Sequence, residues 1–337
     1  MVALSDAYSA PAGSMRRPAR ATAGSQLNMD AETLAHLQAA LGPRLRTNER
    51  LDRYTSARIG GPADCFIVAN SRADLMAAVQ AAWSQHVDVF ILGAGSNVLV
   101  ADAGFRGLVI HNRARRVSFR DAGEFILARA EAGMSLPGLA RLCIARGAAG
   151  LEWAATVPGT VGGAVVGNAG AHGSDIAASL QLAEILQREG DVRWWPARDL
   201  GLAYRWSRLK AAPGRYAVLA AEFKLARGEP ETLQRNIESF QRHRRQTQPG
   251  GASIGSMFRN PPGDHAGRLV EAAGLKGTRI GAAEISTLHA NFFVNRSDAS
   301  ATDVYSLIKL ARETVRRETG IELELEVELV GDWGDEH

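Results

Sequence analysis

The chain has 337 residues, 46% of them apolar and 22% charged, with a formal net charge of only +3. That length asks for two or three domains rather than one core. Arg16, Arg17 and Arg20 against Asp6 place most of the excess charge in the first 28 residues, so the body carries no basic footprint for nucleic acid.

Two cysteines, Cys65 and Cys143, stand far apart without C-x-x-C spacing, which excludes a disulfide framework or a zinc site and fits a reducing cytoplasm. No apolar run approaches the roughly 20 residues of a bilayer span. Residues 1–28 lack the apolar segment of a signal peptide and read as a disordered leader, with an organellar transit peptide as the alternative and Met15 or Met29 as other starts. A short helix is predicted over Asp30 to Leu41. A turn at Gly60-Gly61-Pro62 precedes a strand through Cys65 to Ala69, and Ser71 caps a helix over Arg72–Gln85. "VDVFILGAGSNVLVADAGFRGLVI" then reads as three strands separated by turns. The middle third offers strands at "FILARAEAG", "AEILQREG" and "YAVLAAEFKLA".

A polar helix is predicted from Pro230 to about Gln246, ending before Pro249-Gly250-Gly251. Another runs from Ala301 to Glu318, with Gly320 as its C-cap. After it, "IELELEVELVG" alternates strictly, which predicts one strand with Glu322, Glu324, Glu326 and Glu328 sharing a face. The mixture predicts an α+β protein of at least two domains.

Two glycine clusters carry the first chemical signal. Gly93-Ala94-Gly95-Ser96-Asn97 follows a strand, and successive N–H groups in such a turn can converge on a phosphate. The Rossmann fingerprint is not met, because Val98 stands where its third glycine belongs and a strand follows. An ordinary tight turn is the other reading. In "VPGTVGGAVVGNAGAHG" glycines stand at 159, 162, 163, 167, 170 and 173, which lets backbone approach a flat ligand closely. Together the clusters suit an extended ligand with a diphosphate and a planar ring. A third stretch, "SIGSMFRNPPGD", places Ser256 between Gly255 and Met257. It is not a nucleophile elbow, since Ile254 and Phe258 occupy the glycine positions of G-x-S-x-G.

Taken in order, Arg58-Ile59-Gly60-Gly61, "LGAGSNVLV", "GLEWAATVPGTVGGAVVGNAGAHG", Tyr204-Arg205-x-Ser207, "SIGSMFRNPPGDHAGRLVEAAGLKGTRIGAAEISTLHANFFVN" and "LELEVELVG" resemble the UDP-N-acetylenolpyruvoylglucosamine reductases. The resemblance covers about Thr55 to Gly331. It implies a two-subdomain FAD-binding module of the vanillyl-alcohol-oxidase type plus a C-terminal α+β substrate domain. The implied divisions are residues 29–102 with 321–331, residues 103–228, and residues 229–320. FAD is then the cofactor and NADPH the reductant, sharing one cleft with a UDP-sugar enolpyruvate. A monomer or weak dimer with no nucleic acid and no membrane is expected. The cofactor contacts implied are Arg58, Gly93, Ala94, Gly95, Ser96, Asn97, Pro158, Gly159, Thr160, Val161, Gly162, Asn168 and Gly170.

The short spacing from Arg205 to Ser256 matches the class without an extra substrate-covering loop. Two departures stand out: His172 replaces a common tyrosine, and Arg259 replaces the usual lysine of K-N-P.

Reducing an enol ether beside a carboxylate requires electrophiles at the carboxylate and a proton for the adjacent carbon. Arg205 suits the first need, since a guanidinium grips a carboxylate bidentately, with a surface ion pair as the plainer reading. Ser256 is implied as the proton donor. Periodicity cannot choose among the four glutamates; the family pattern L-E-x-E-V selects Glu326, implied to hydrogen-bond the enolic intermediate. Tyr204, Asn260, Lys276, His289 and Asn291 are implied pocket residues, with no proton transfer assigned to His289. Arg244 and Arg245 either suit a helix C-terminus or meet the UDP diphosphate, and Arg245 is taken as a substrate contact. Another flavin-dependent oxidation, or nucleotide binding without catalysis, would leave the Ser256, Arg205 and Glu326 set without a purpose.

Overall fold

Capping chemistry explains where the first helices begin. In the computed structural model, which describes residues 29–334, Asp30 accepts the Thr33 N–H at 2.8 Å and opens α1 (Ala31–Leu41). β1 (Arg46–Arg50) and β2 (Pro62–Ala69) follow, and Ser71 accepts the Asp74 N–H to start α2 (Arg72–Ser84). β3 (Val89–Leu92), β4 (Val98–Val100) and β5 (Phe105–Asn112) complete a first unit with sheet order β1-β2-β5-β3. β2, β5 and β3 are parallel, with β1 antiparallel at the edge. Parallel strands are covered on both faces, which is why β2 is a nearly unbroken buried run and Leu75, Val79 and Ala82 of α2 pack against this sheet.

The second unit is antiparallel. β6 (Val117–Ala122) and β7 (Phe125–Glu131) lead into α3 (Leu136–Ile144), β8 (Ala148–Ala149) and α4 (Val161–Gly167). After the small hairpin β9 (Gly170–Ala171) and β10 (Ser174–Asp175) come β11 (Leu180–Gln187), β12 (Val192–Pro196) and β13 (Tyr216–Arg227). The sheet runs β12-β11-β13-β7-β6, with β8 also on β13. Leu139, Cys143, Trp153 and Phe223 fill its core. α5 (Pro230–Thr247) turns Leu233 and Ile237 into the same core, with Phe240 packed against it. Packing therefore moves the expected boundary at residue 229: α5 belongs with the second unit, and the third begins after it.

The third unit contains β14 (Ala252–Ser256), α6 (Ala266–Ala272), β15 (Arg279–Ile280), β16 (Ala283–Ile285), β17 (Phe292–Asn295) and α7 (Ala301–Thr319). Its antiparallel sheet runs β14-β17-β16-β15 around Phe258, Leu269, Phe293, Leu307 and Ile308. Burying each such phenylalanine or leucine is worth about 2 kcal/mol. The first turn of α7 is fully satisfied, as a buried helix end requires. Ser300 and Asp303 form a capping box, and Asp102 of the first unit accepts the N–H groups of Ala301 and Thr302 at 2.9 and 3.0 Å. Gly320 ends the helix at φ 74°.

One expectation fails here. The alternating tail does not form a single strand: only β18 (Glu328–Val330) is regular, pairing in parallel with β4. Upstream, Leu325 bridges Phe258, and the N–H groups of Glu326 and Val327 both reach the Met257 carbonyl, at 2.9 and 3.5 Å. The chain changes partner between these points and loses its two-residue period, so Leu323, Val327 and Val330 are the buried positions. The four glutamates separate accordingly. The leader expected over residues 1–28 lies outside the described residues.

Candidate active site

The loop between β3 and β4 and the loop before α4 face each other. Gly93 is required by closeness, since a Cβ there would lie 2.3 Å from Thr160 Oγ1. Gly95 has φ 61°, and its Cβ would lie 2.3 Å from the Tyr54 carbonyl oxygen. Ser96 Oγ donates to the Pro158 carbonyl at 3.0 Å and locks the loops together. Among the described residues, none of the backbone N–H groups from Gly93 through Ala94, Gly95, Ser96 and Asn97 has a hydrogen-bond acceptor, nor do those of Gly159 and Thr160. Backbone donors are almost always paired when protein surrounds them. A row of free donors between two close loops fits an anionic diphosphate. Gly159, at φ 145°, leaves that space open, for a Cβ would meet only Ser96 Oγ at 3.5 Å.

Other expected cofactor residues serve as scaffold. Val161 and Gly162 donate their N–H groups to Met134 and Ala132 at 2.9 and 2.8 Å, which anchors the loop from below. Asn168, the left-handed C-cap of α4, is buried and fully engaged: it donates to Asp175 and the Ala203 carbonyl and accepts from Ala177 N–H. Both of its amide donors are used, so it has none left to offer a ligand. Arg58, at φ 57°, is exposed with no side-chain partner among the described residues.

The catalytic candidates come from three remote segments. Arg205 sits in a tight turn closed by mutual bonds between Ala203 and Trp206 and by the buried Ser207, whose hydroxyl donates to the Val166 carbonyl at 2.5 Å. Its φ of 54° costs a bulky residue about 1–2 kcal/mol, and strain of this kind gathers at functional sites. Arg205 Nε donates to Glu326 Oε1 at 2.6 Å, and Nη2 donates to the Gly170 carbonyl at 2.7 Å. Glu326 therefore accepts from Arg205, where the resemblance implied a bond to the intermediate.

Ser256 ends β14 opposite Phe292, with Gly255 at φ 88° before it. The next residue, Met257, accepts the Glu326 N–H, and Asn97 donates to the Glu326 carbonyl at 3.1 Å. The Ser256 hydroxyl is half-buried with no hydrogen-bond partner among the described residues. Asn291 fixes this turn by accepting Phe258 N–H at 2.9 Å and donating to its carbonyl at 2.8 Å.

A cavity of about 440 Å³ runs past Ser56, Ser96, Pro158, Gly255 and Phe292, and Arg244 and Arg245 separate it from a second of about 290 Å³. Arg244 has no ion pair or side-chain hydrogen bond among the described residues, and burial lowers its affinity for a proton. A half-buried, uncompensated guanidinium is costly. Arg244 as well as Arg245 borders the cleft.

Of the other expected pocket residues, Tyr204 is exposed and its hydroxyl meets Asn260 N–H at 3.4 Å. The Asn260 side chain accepts the Ala266 N–H at the start of α6. Lys276 pairs with Glu271 at 2.7 Å, and His289 accepts the Asn291 N–H at 3.2 Å. Burial first, then Lys276, lowers the His289 pKa. Among the described residues, no hydrogen bond or ion pair joins Lys276 or His289 to Arg205, Ser256 or Glu326.

The tail glutamates are resolved by their partners. Glu322 pairs with Arg316 on the surface, Glu324 with Arg259, and Glu326 with Arg205. Glu328 meets solvent but has protein on most sides; this desolvation raises its carboxyl, against the Lys210 ammonium. Sequence reading missed Lys210, and only its place in the Tyr204–Lys210 turn could have drawn attention to it. Both cysteines are buried and unreactive, with burial pushing the thiols of Cys65 and Cys143 up to about 11 and about 12.

Comparison with known proteins agrees with this geometry. Residues 63–195 match the FAD binding domain family, and residues 246–330 match the UDP-N-acetylenolpyruvoylglucosamine reductase C-terminal domain. The reductase of Rubrobacter xylanophilus is 47% identical over 87% of this chain and 97% of its own length. That of Chloroflexus aggregans is 44% identical over 87% of this chain and all of its own. The crystal structure of the Thermus caldophilus enzyme superposes with a TM-score of 0.71 at 33% identity, covering 85% of this chain and 98% of that one. The expected fold class, a two-subdomain FAD-binding module with a C-terminal α+β domain, is borne out. The chain belongs to the UDP-N-acetylenolpyruvoylglucosamine reductase family, the FAD-dependent oxidoreductases of peptidoglycan precursor synthesis.

Proposed function

We propose that this protein uses NADPH to reduce UDP-N-acetylglucosamine enolpyruvate to UDP-N-acetylmuramate in the cytoplasm. The observation that carries the reading is one junction: Arg205 bonds Glu326, the Glu326 N–H bonds Met257 beside Ser256, and Asn97 of the loop with unpaired N–H groups bonds the Glu326 carbonyl, next to a cavity lined by Ser96 and Gly255. Those N–H groups, with those of Gly159 and Thr160, would hold the FAD diphosphate. When bound, FAD would supply hydride-transfer chemistry between NADPH and the vinyl carbon of the substrate.

The chain's own residues do the rest. Arg205 binds the substrate carboxylate and stabilises the negative charge that spreads into it from the neighbouring carbon. Glu326 aims Arg205 through the 2.6 Å bond, and the Gly170 carbonyl fixes the other side of the guanidinium. Ser256 gives its hydroxyl proton to the carbon next to the carboxylate and regains one from water. A hydroxyl is a weak acid, but the enolate before it is a strong base. Arg244 and Arg245 line the path that a diphosphate would take.

Ser256→Ala tests this directly. In anaerobic stopped-flow experiments the variant is expected to be reduced by NADPH at close to the normal rate. Reoxidation by the enolpyruvyl substrate should fall about 10³-fold, within the range for a positioned acid. Equal loss in both half-reactions would remove Ser256 from the proton-donor role.

A further inference from the structure

Arg259 is unassigned by the chemistry above, and it touches all three catalytic segments. It stands three residues after Ser256. Its backbone N–H donates to the Glu324 carbonyl at 2.9 Å, two residues before Glu326. Its side chain donates from Nη1 to Glu324 Oε2 and from Nη2 to the Arg205 carbonyl, each at 3.4 Å. Both side-chain contacts are long, and the positive charge keeps them attractive at that distance. Nε is buried without a partner, so the two outer nitrogens alone orient the group.

The acceptor in this arrangement is the carbonyl of the one catalytic residue with left-handed backbone, φ 54°. Arg205 is a bulky residue in a conformation that glycine tolerates, and surrounding structure must over-determine it. The Ala203–Trp206 bonds close the turn but leave the Arg205 carbonyl free. We infer that Arg259 is a positioning residue, a clasp that holds the Arg205 peptide so that its guanidinium meets the substrate carboxylate. A planar fork can reach a carbonyl on one segment and a carboxylate on another, whereas a lysine offers one point charge. The charged groups around it are Arg205, Lys210, Glu324 and Glu326.

The inference rests on the proposed reduction, and the experiment separates the two. Arg259→Ala, Arg259→Lys and Arg259→Gln are compared with wild type for flavin reduction by NADPH and for reoxidation by the enolpyruvyl substrate. Wild type that fails to reoxidise overturns the proposed function. If wild type reoxidises, Arg259→Ala should slow that step by about 30-fold, because small misplacement of a catalytic group is costly. Its flavin reduction should change less than about twofold, and Arg259→Lys should recover only part of the loss. In an Arg205→Ala background, Arg259→Ala should have almost no further effect, the signature of action through Arg205. Additive losses, equal slowing of both half-reactions, or full recovery by lysine would each overturn the clasp. If Arg259→Ala is unfolded by circular dichroism, the lysine and glutamine variants carry the same comparison. Substrate titration of the oxidised protein, read by the flavin absorbance shift, should show weakened binding in all three variants.

Discussion

The proposed cofactor loops and the proposed catalytic junction solve the same problem of charge by opposite means. Residues 93–97 and 159–160 present backbone N–H groups, so what matters there is the absence of side chains. At the junction, Arg205, Ser256 and Glu326 present side chains from three segments far apart in the chain. A site made of backbone announces itself as a local run of glycines. A site made of side chains is assembled by the fold, and no local pattern reveals it.

Breaking the first kind should take only one methyl group. Gly95→Ala must accommodate φ 61° and a Cβ 2.3 Å from the Tyr54 carbonyl oxygen. Strain and overlap together should cost about 4 kcal/mol. The purified variant is expected to carry little flavin by its visible absorbance and to melt early. An ordinary flavin content with unchanged melting would mean that the loop is not close-packed.

Acid should also loosen the cofactor side. Burial, with Arg113, Arg115 and Arg46 adding to it, pushes the His111 pKa down to about 4, and its Nδ1 is buried without a partner. Above pH 6.5 both folded and unfolded states keep this imidazole neutral, and it contributes no slope. Between pH 6.5 and 4 the unfolded chain takes up a proton that the folded protein refuses. Stability should fall by on the order of 3 kcal/mol over that window. Denaturant titrations of His111→Phe should lose this part of the pH dependence; an unchanged slope would place its origin elsewhere.

The smallest effect concerns the seam between the two regions. Asp102→Ala removes the acceptors for two N–H groups of α7 and should cost about 1 kcal/mol. Faster amide exchange should be confined to the first turn of α7, and uniform exchange would count against a local cap.

Much of the fold was legible because its signals are local. Asp30, Ser71, Pro230 and Gly320 mark helix ends in the sequence and occupy those places in the structure. The tail was not, because alternation predicts a strand only if one partner lasts its whole length, and Met257 and β4 divide it. The start of the third unit was misplaced because a polar helix does not reveal which core takes Leu233 and Ile237. At the site, glycine density pointed to a ligand but could not separate Gly159, which opens space, from Gly162, which fills it. Choosing Glu326 among four glutamates took family resemblance, and the Arg205 bond supplies a physical reason.

Asp102 belongs to the loop after β4, yet it completes a helix of the third unit that packs on β15 and β16. Until the first unit is in place, two donors at the start of α7 lack their acceptor. The sheet that ends in Ser256 is thus braced by a helix whose start is certified by the cofactor half of the molecule. This single cap ties the unit that carries Ser256 to the unit that carries the loop of residues 93–97.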